Sequence, residues 1–113
     1  MENKDQVEKT KRNGEVTDAQ IQFWKQKHGK IMEVCVEDED TIYVGYFHRP
    51  NMETMSAANK LAKNDEIKGS MVVFDNCWLG GDSIMKDDAI IKMSALGQLG
   101  QIFNRCTASL KNL

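Results

Sequence analysis

KIMEVCVEDEDTIYVGYFH, residues 30–48, contains two runs that alternate with a period of two around a short acidic turn. In the first run, Lys30 to Glu37, Met32, Val34 and Val36 share one face, with Glu33 and Glu37 opposite. In the second, Thr41 to His48, Ile42, Val44 and Tyr46 alternate with Tyr43 and Phe47, and β-branched and aromatic residues dominate. Asp38-Glu39-Asp40 joins them as a polar turn, so the stretch predicts an antiparallel hairpin. A lone hairpin does not persist in water; this one needs helices across its apolar face.

Outward from the hairpin, helical spacing takes over. Upstream, Thr17-Asp18-Ala19-Gln20 forms a capping box, Ile21, Trp24 and His28 recur on one face, and Gly29 supplies a stop. Downstream, Pro50 ends the second strand and Asn51 is placed to cap a helix carrying Met52, Met55, Ala58, Leu61 and Ala62. Asp65 starts the next helix, in which Ile67, Met71, Phe74 and Trp78 make a stripe that Gly80-Gly81 ends. Asp82 to Lys86 reads as a loop from which Ile84 and Met85 pack inward. Asp87-Asp88 lies at the positive end of a last helix with Ile91, Ala95, Leu99, Ile102 and Cys106 in line, and Leu96 and Phe103 beside them. Gly97 and Gly100 cost that helix stability, and close approach of another backbone is a use for them.

The expected architecture is therefore α+β: an N-terminal helix and β-hairpin followed by a small helical bundle, in a single domain over residues 17–106. Residues 1–16 are polar and mixed in charge, too poor in apolar surface to offset the entropy of ordering, and read as a flexible tail. Residues 107–113 read as a C-terminal tail of uncertain structure.

Composition narrows the function classes. The chain has 113 residues, 41% hydrophobic and 28% charged, with a net charge of −2 and a pI near 5.7. That balance speaks against general nucleic-acid binding and against a polybasic membrane-surface protein. Three cysteines, Cys35, Cys77 and Cys106, are too few and too scattered for a disulfide framework and suit a reducing compartment. The first residues lack the apolar core of a secretory signal, and no apolar run is long enough to span a bilayer. The expected location is the cytoplasm.

No catalytic, metal or cofactor site is expected. His28 and His48 are far apart in sequence and no ligand spacing typical of metal sites occurs. Asp38-Glu39-Asp40 begins like a calcium loop, but Ile42 stands at a ligand position and the required glycine is missing. Cys35 and His48, on adjacent strands, are the pair from which a thiolate–imidazole couple could form; a buried or strand-face thiol is the plainer account. Asp82, Asp87 and Asp88 are more simply helix-terminal and loop charges than an acid–base pair. Gly80-Gly81-Asp82-Ser83 lacks the lysine and the preceding strand of a phosphate loop. The seven methionines suit both core filling and adaptable binding surfaces.

Three pieces of sequence carry a family resemblance. They are Phe47-His48-Arg49-Pro50-Asn51-Met52-Glu53-Thr54-Met55-Ser56-Ala57-Ala58, then Asp75-Asn76-Cys77-Trp78-Leu79-Gly80-Gly81-Asp82, then Lys86-Asp87-Asp88 leading to Gly97-Gln98-Leu99-Gly100. In this order, from about Thr17 to Gly100, the chain resembles the small tail assembly chaperones of long-tailed bacteriophages and prophages. The two ends of the chain depart from that pattern. The resemblance implies a non-enzymatic protein of the bacterial host cytoplasm that binds the long helical tape measure protein, keeps it soluble and helps recruit the tail tube protein. Self-association is compatible with it. It directs attention to Arg49, Pro50, Met52 and Met55 at the Arg-Pro helix start, and to Trp78, Gly80, Gly81 and Asp82, as protein-binding residues. The competing expectations are a structural virion subunit, of tail tube or head–tail connector type, and a small thiol enzyme using Cys35.

Overall fold

The structure, a computed structural model, describes residues 8–104 and 107–113. Its order is β1 (Thr10–Arg12), α1 (Asp18–His28), β2 (Ile31–Asp38), β3 (Thr41–His48), α2 (Met52–Ala62), α3 (Glu66–Cys77), β4 (Trp78–Gly81), α4 (Ile84–Asp87), α5 (Ala89–Gly100) and a 3-10 turn (Gln101–Asn104). The α+β class stands, and the hairpin forms in unbroken register from Ile31 opposite His48 to Asp38 opposite Thr41.

The hairpin is half of a four-stranded sheet. β3 is its centre and pairs with all three other strands. Because β2 fills one edge of β3 along its whole length, β1 and β4 divide the other. β1 runs parallel to Thr41–Tyr43, and β4 runs antiparallel to Gly45–Phe47 with a register shift between Tyr46 and Phe47. Two expectations are corrected here. The reading of residues 1–16 as a flexible tail fails from Thr10 onward, because a backbone ladder needs no apolar side chains; residues 1–7 lie outside the description. The reading of Trp78 as the last residue of a helix stripe and of Gly80-Gly81 as a turn also fails. The helix ends at Cys77 and the next four residues are a strand.

Both faces of the sheet are covered, which explains why Val44, Gly45, Tyr46 and Phe47 are all buried in succession. Val34, Val36 and Phe47 point to one side and pack with Val73, Phe74, Cys77, Met85, Ile91, Ala95, Leu96 and Leu99 of the helices. Phe47 and Phe74 meet edge to face at 5.1 Å, and both are essentially inaccessible. Truncating either to Ala would cost about 3–5 kcal/mol. Tyr46 points to the other side, where Trp24 of α1 lies over it at 5.8 Å.

The helix starts follow the sequence closely. Thr17 and Gln20 make the reciprocal capping box, Asn51 accepts from the Thr54 N–H at 2.8 Å, and Asp88 accepts from the Ile90 and Ile91 N–H groups at 2.9 and 3.0 Å. The buried face of α3 does not follow it. That face is Gly69, Ser70, Val73, Phe74 and Cys77, and the expected stripe residues Ile67 and Met71 are exposed. The cause is α2. A Cβ on Gly69 would lie 2.6 Å from the Ala62 Cβ and 2.8 Å from the Ala58 carbonyl, so the two helices meet almost backbone to backbone through small residues. The expected loop at Asp82–Lys86 contains α4, and Met85 is fully buried as anticipated. Cys106, placed at the end of the α5 stripe, lies outside the described residues. Residues 107–113 form no helix or strand and are exposed.

Candidate functional site

The α2–α3 seam leaves the large side chains of α3 without a partner on its outer side. Ile67 and Met71, one turn apart, are 43% and 37% exposed. α5 faces this region with Met93, Gly97 and Gly100 at intervals of four and three, one stripe of the helix. Between the two runs a groove of about 520 Å³, lined among others by Ala62, Ile67, Met93, Leu96, Gly97 and Phe103. Its lining mixes these apolar residues and Gly100 with the polar Asn59, Glu66, Ser70 and Gln101. A Cβ at Gly97 would meet nothing within 4 Å, and one at Gly100 only the Ser70 hydroxyl at 3.2 Å. Among the described residues, the anticipated close approach of another backbone at these glycines is not made within the chain. The surface is left open to something outside it.

The residues singled out by the family resemblance fall in two places. Arg49 is exposed beside the N-terminal half of β2, Pro50 is half-buried, Met52 is 81% exposed and Met55 half-buried. Trp78, Gly80, Gly81 and Asp82 are occupied by the fold. Trp78 stacks on Phe74 at 5.4 Å and meets Phe47 edge-on at the same distance, with the Lys86 ammonium 5.6 Å from its ring. Gly80 lies under the Trp24 ring. Gly81, at φ 148°, leaves no room for a side chain, since a Cβ would sit 2.5 Å from the Val44 carbonyl. Asp82 is buried; its carboxylate accepts from the Ile84 N–H at 2.9 Å and pairs with Arg12 at 3.0 Å, and its own N–H donates to the Val44 carbonyl.

This fold has a counterpart. An uncharacterised protein from Bacillus stearothermophilus superposes with a TM-score of 0.55 over 81% of this chain and 99% of its own, at 17% sequence identity. At that identity the likeness is one of fold. No family model matches the sequence, and no curated protein is similar to it.

The alternative chemistry finds little geometry. Cys35 sits opposite Val44, four residues along β3 from His48, a separation of about 13 Å. Its thiol donates to Glu33, and partial burial together with the Glu33 charge raises its pKa. Burial pushes the Cys77 thiol up to about 11. Among the described residues no three His, Cys, Asp or Glu side chains converge as metal ligands. None of the described helices is long and apolar enough to cross a membrane.

One relationship had no sequence signal. His28, at the end of α1, stacks on His48, at the end of β3, with ring centroids 4.7 Å apart and planes 15° from parallel. Desolvation, then the neighbouring His48 and Lys27 charges, lower the His28 pKa. Twenty residues separate the pair in sequence, and only the packing of α1 across the sheet joins them.

Proposed function

We propose that this protein is a non-enzymatic tail assembly chaperone of a long-tailed phage or prophage, which binds amphipathic helices of the tape measure protein in the groove between α3 and α5 and helps recruit the tail tube protein in the host cytoplasm. The observation that carries the reading is the groove itself. Exposed Ile67 and Met93 line it together with Gly97 and Gly100, an arrangement suited to the apolar stripe of a helix. Methionine at the wall adapts to varied side chains, as a client with many different helical segments demands. Repeated weak contacts along such a client add by avidity. The sequence resemblance points to the same partner class.

The test is co-purification of a tagged protein from phage-producing cells, followed by mass spectrometry, with the wild type and Gly97→Trp compared. Recovery of a very long helix-rich protein by the wild type, its loss in the variant, and absence of the chain from purified particles is the expected result. Presence in particles with no long partner makes the protein a structural subunit instead.

A further inference from the structure

The edges of the sheet are unequal. The side of β3 away from β2 is divided between two short strands. The outer edge of β2 is eight residues long, has no proline, glycine or bulge, and no described strand pairs with it. Natural proteins rarely leave such an edge unguarded, because its free N–H and C=O groups template another strand.

The charges along this edge are sorted by end. Lys25, Lys30 and Arg49 stand at its start, and Glu37, Asp38, Glu39 and Asp40 at its finish, where Glu37 pairs with Lys9 within the chain and the other three carboxylates leave the end acidic. A strand charged in this way opposes like with like when paired in parallel with a copy of itself. Paired antiparallel, it opposes unlike charges at both ends. We infer that β2 pairs antiparallel with β2 of a second copy of this chain, about a two-fold axis through Val34, joining two sheets into one.

The register follows from the faces. Paired residues must share a side of the sheet, which leaves symmetric registers centred on Glu33, Val34 or Cys35 near the middle of the strand. Centring on Glu33 sets that carboxylate against its own copy. Centring on Cys35 sets Glu33 against Glu37. Centring on Val34 opposes Met32 to Val36 and Lys30 to Asp38 on the helix-covered side, and Glu33 to Cys35 and Ile31 to Glu37 on the other, with no like charges opposed. A groove of about 670 Å³ beside the first half of the edge, lined in part by Met32, Val34, Leu99 and Ile102, gives the incoming apolar side chains a place. The pairing uses a different surface from the α3–α5 groove and does not depend on what that groove binds.

Sedimentation of the purified full chain tests the inference. The wild type should dimerise; Lys30→Glu or Asp38→Lys, each placing like charges at two equivalent contacts, should weaken the dimer about tenfold. The double variant K30E/D38K restores opposite charges and should restore association, with circular dichroism confirming that each variant is folded. A wild type monomeric at several hundred micromolar, or a folded double variant no better than the singles, overturns the proposal. The register has its own check on a Cys106→Ser background. Glu33→Cys should give a covalent dimer on mild oxidation, by bonding to Cys35 of the second copy. Equally ready cross-linking without that substitution would instead place Cys35 on the axis and overturn the Val34 register.

Discussion

Gly14 and Gly81 close the sheet by direct backbone contact: a Cβ built on Gly14 would fall 2.0 Å from the Gly81 carbonyl oxygen. The first follows β1 and the second ends β4, so the two short strands that share one edge of β3 abut here. Gly14 holds φ 68° and Gly81 φ 148°, both costly for any residue with a side chain. Gly14→Ala and Gly81→Ala should each lose about 2 kcal/mol or more in urea unfolding. The double variant should lose less than the sum, since one contact is broken twice.

The Arg12–Asp82 pair beside this junction is asymmetric. Arg12 is half exposed and Asp82 is buried with a second duty at the start of α4. Arg12→Ala should therefore cost less than about 1 kcal/mol. Asp82→Ala, which also removes the acceptor of the part-buried Ile84 N–H, should cost about 1–3 kcal/mol. Equal losses in a denaturant series would show that the ion pair alone matters.

Gly97 separates stability from binding. It lies exposed in the middle of α5 with empty space at its Cβ position. Gly97→Ala should stabilise the protein by about 1 kcal/mol in the same unfolding assay. Gly97→Trp should leave the fold intact yet abolish capture of a helical client. A Gly97→Trp protein that binds as well as the wild type would remove the groove from consideration.

The His28–His48 stack gives a pH dependence whose sign is set. The folded state holds the His28 pKa below that of the unfolded chain, so the unfolded chain takes up the proton first. This contribution to stability is present above about pH 6.5, declines as the pH falls through that value, and changes no further below the folded pKa. His48 itself, and Lys27 in the last turn of α1, are the charges that act on the ring. Thermal melting of the wild type at pH 8 and pH 5 should show a drop that His28→Phe, which keeps a stacked ring without a titrating group, reduces.

Thiol labelling distinguishes the two described cysteines. On a Cys106→Ser background, Cys35, exposed on β2, should react with iodoacetamide in the native state. Cys77, inaccessible and with its pKa near 11, should react only after unfolding. Native labelling of Cys77 at a rate matching Cys35 would contradict its place in the core.

The hairpin, the capping residues and the core face of α5 are readable because each has a local chemical signature: alternation around Asp38-Glu39-Asp40, the Thr17–Gln20 box, Asn51 and Asp88. β1 has none. Thr10, Lys11 and Arg12 are all exposed and contribute a backbone ladder, which any residue but proline can provide. β4 is hidden by a coincidence of spacing, since Trp78 lies four residues after Phe74. The two rings do stack, although one is on a helix and the other on a strand. The face of α3 is misread when side-chain size is the guide to burial, because Gly69 and Ser70 mark the true interface with α2 and α5. For the candidate site, Gly97 and Gly100 stand out as unusual helix residues. The opposing wall of Ile67 depends on the rotation of α3, which the sequence does not reveal.

The seam at Gly69 also sets how the groove can respond to what enters it. With Gly69 against Ala58 and Ala62 there is no slack between α2 and α3, and Ile91, Ala95 and Leu99 anchor α5 in the core. Neither wall can spread without breaking close packing. The groove therefore keeps a fixed width between its backbones, and any accommodation of a differently shaped occupant falls to the flexible Met93 side chain.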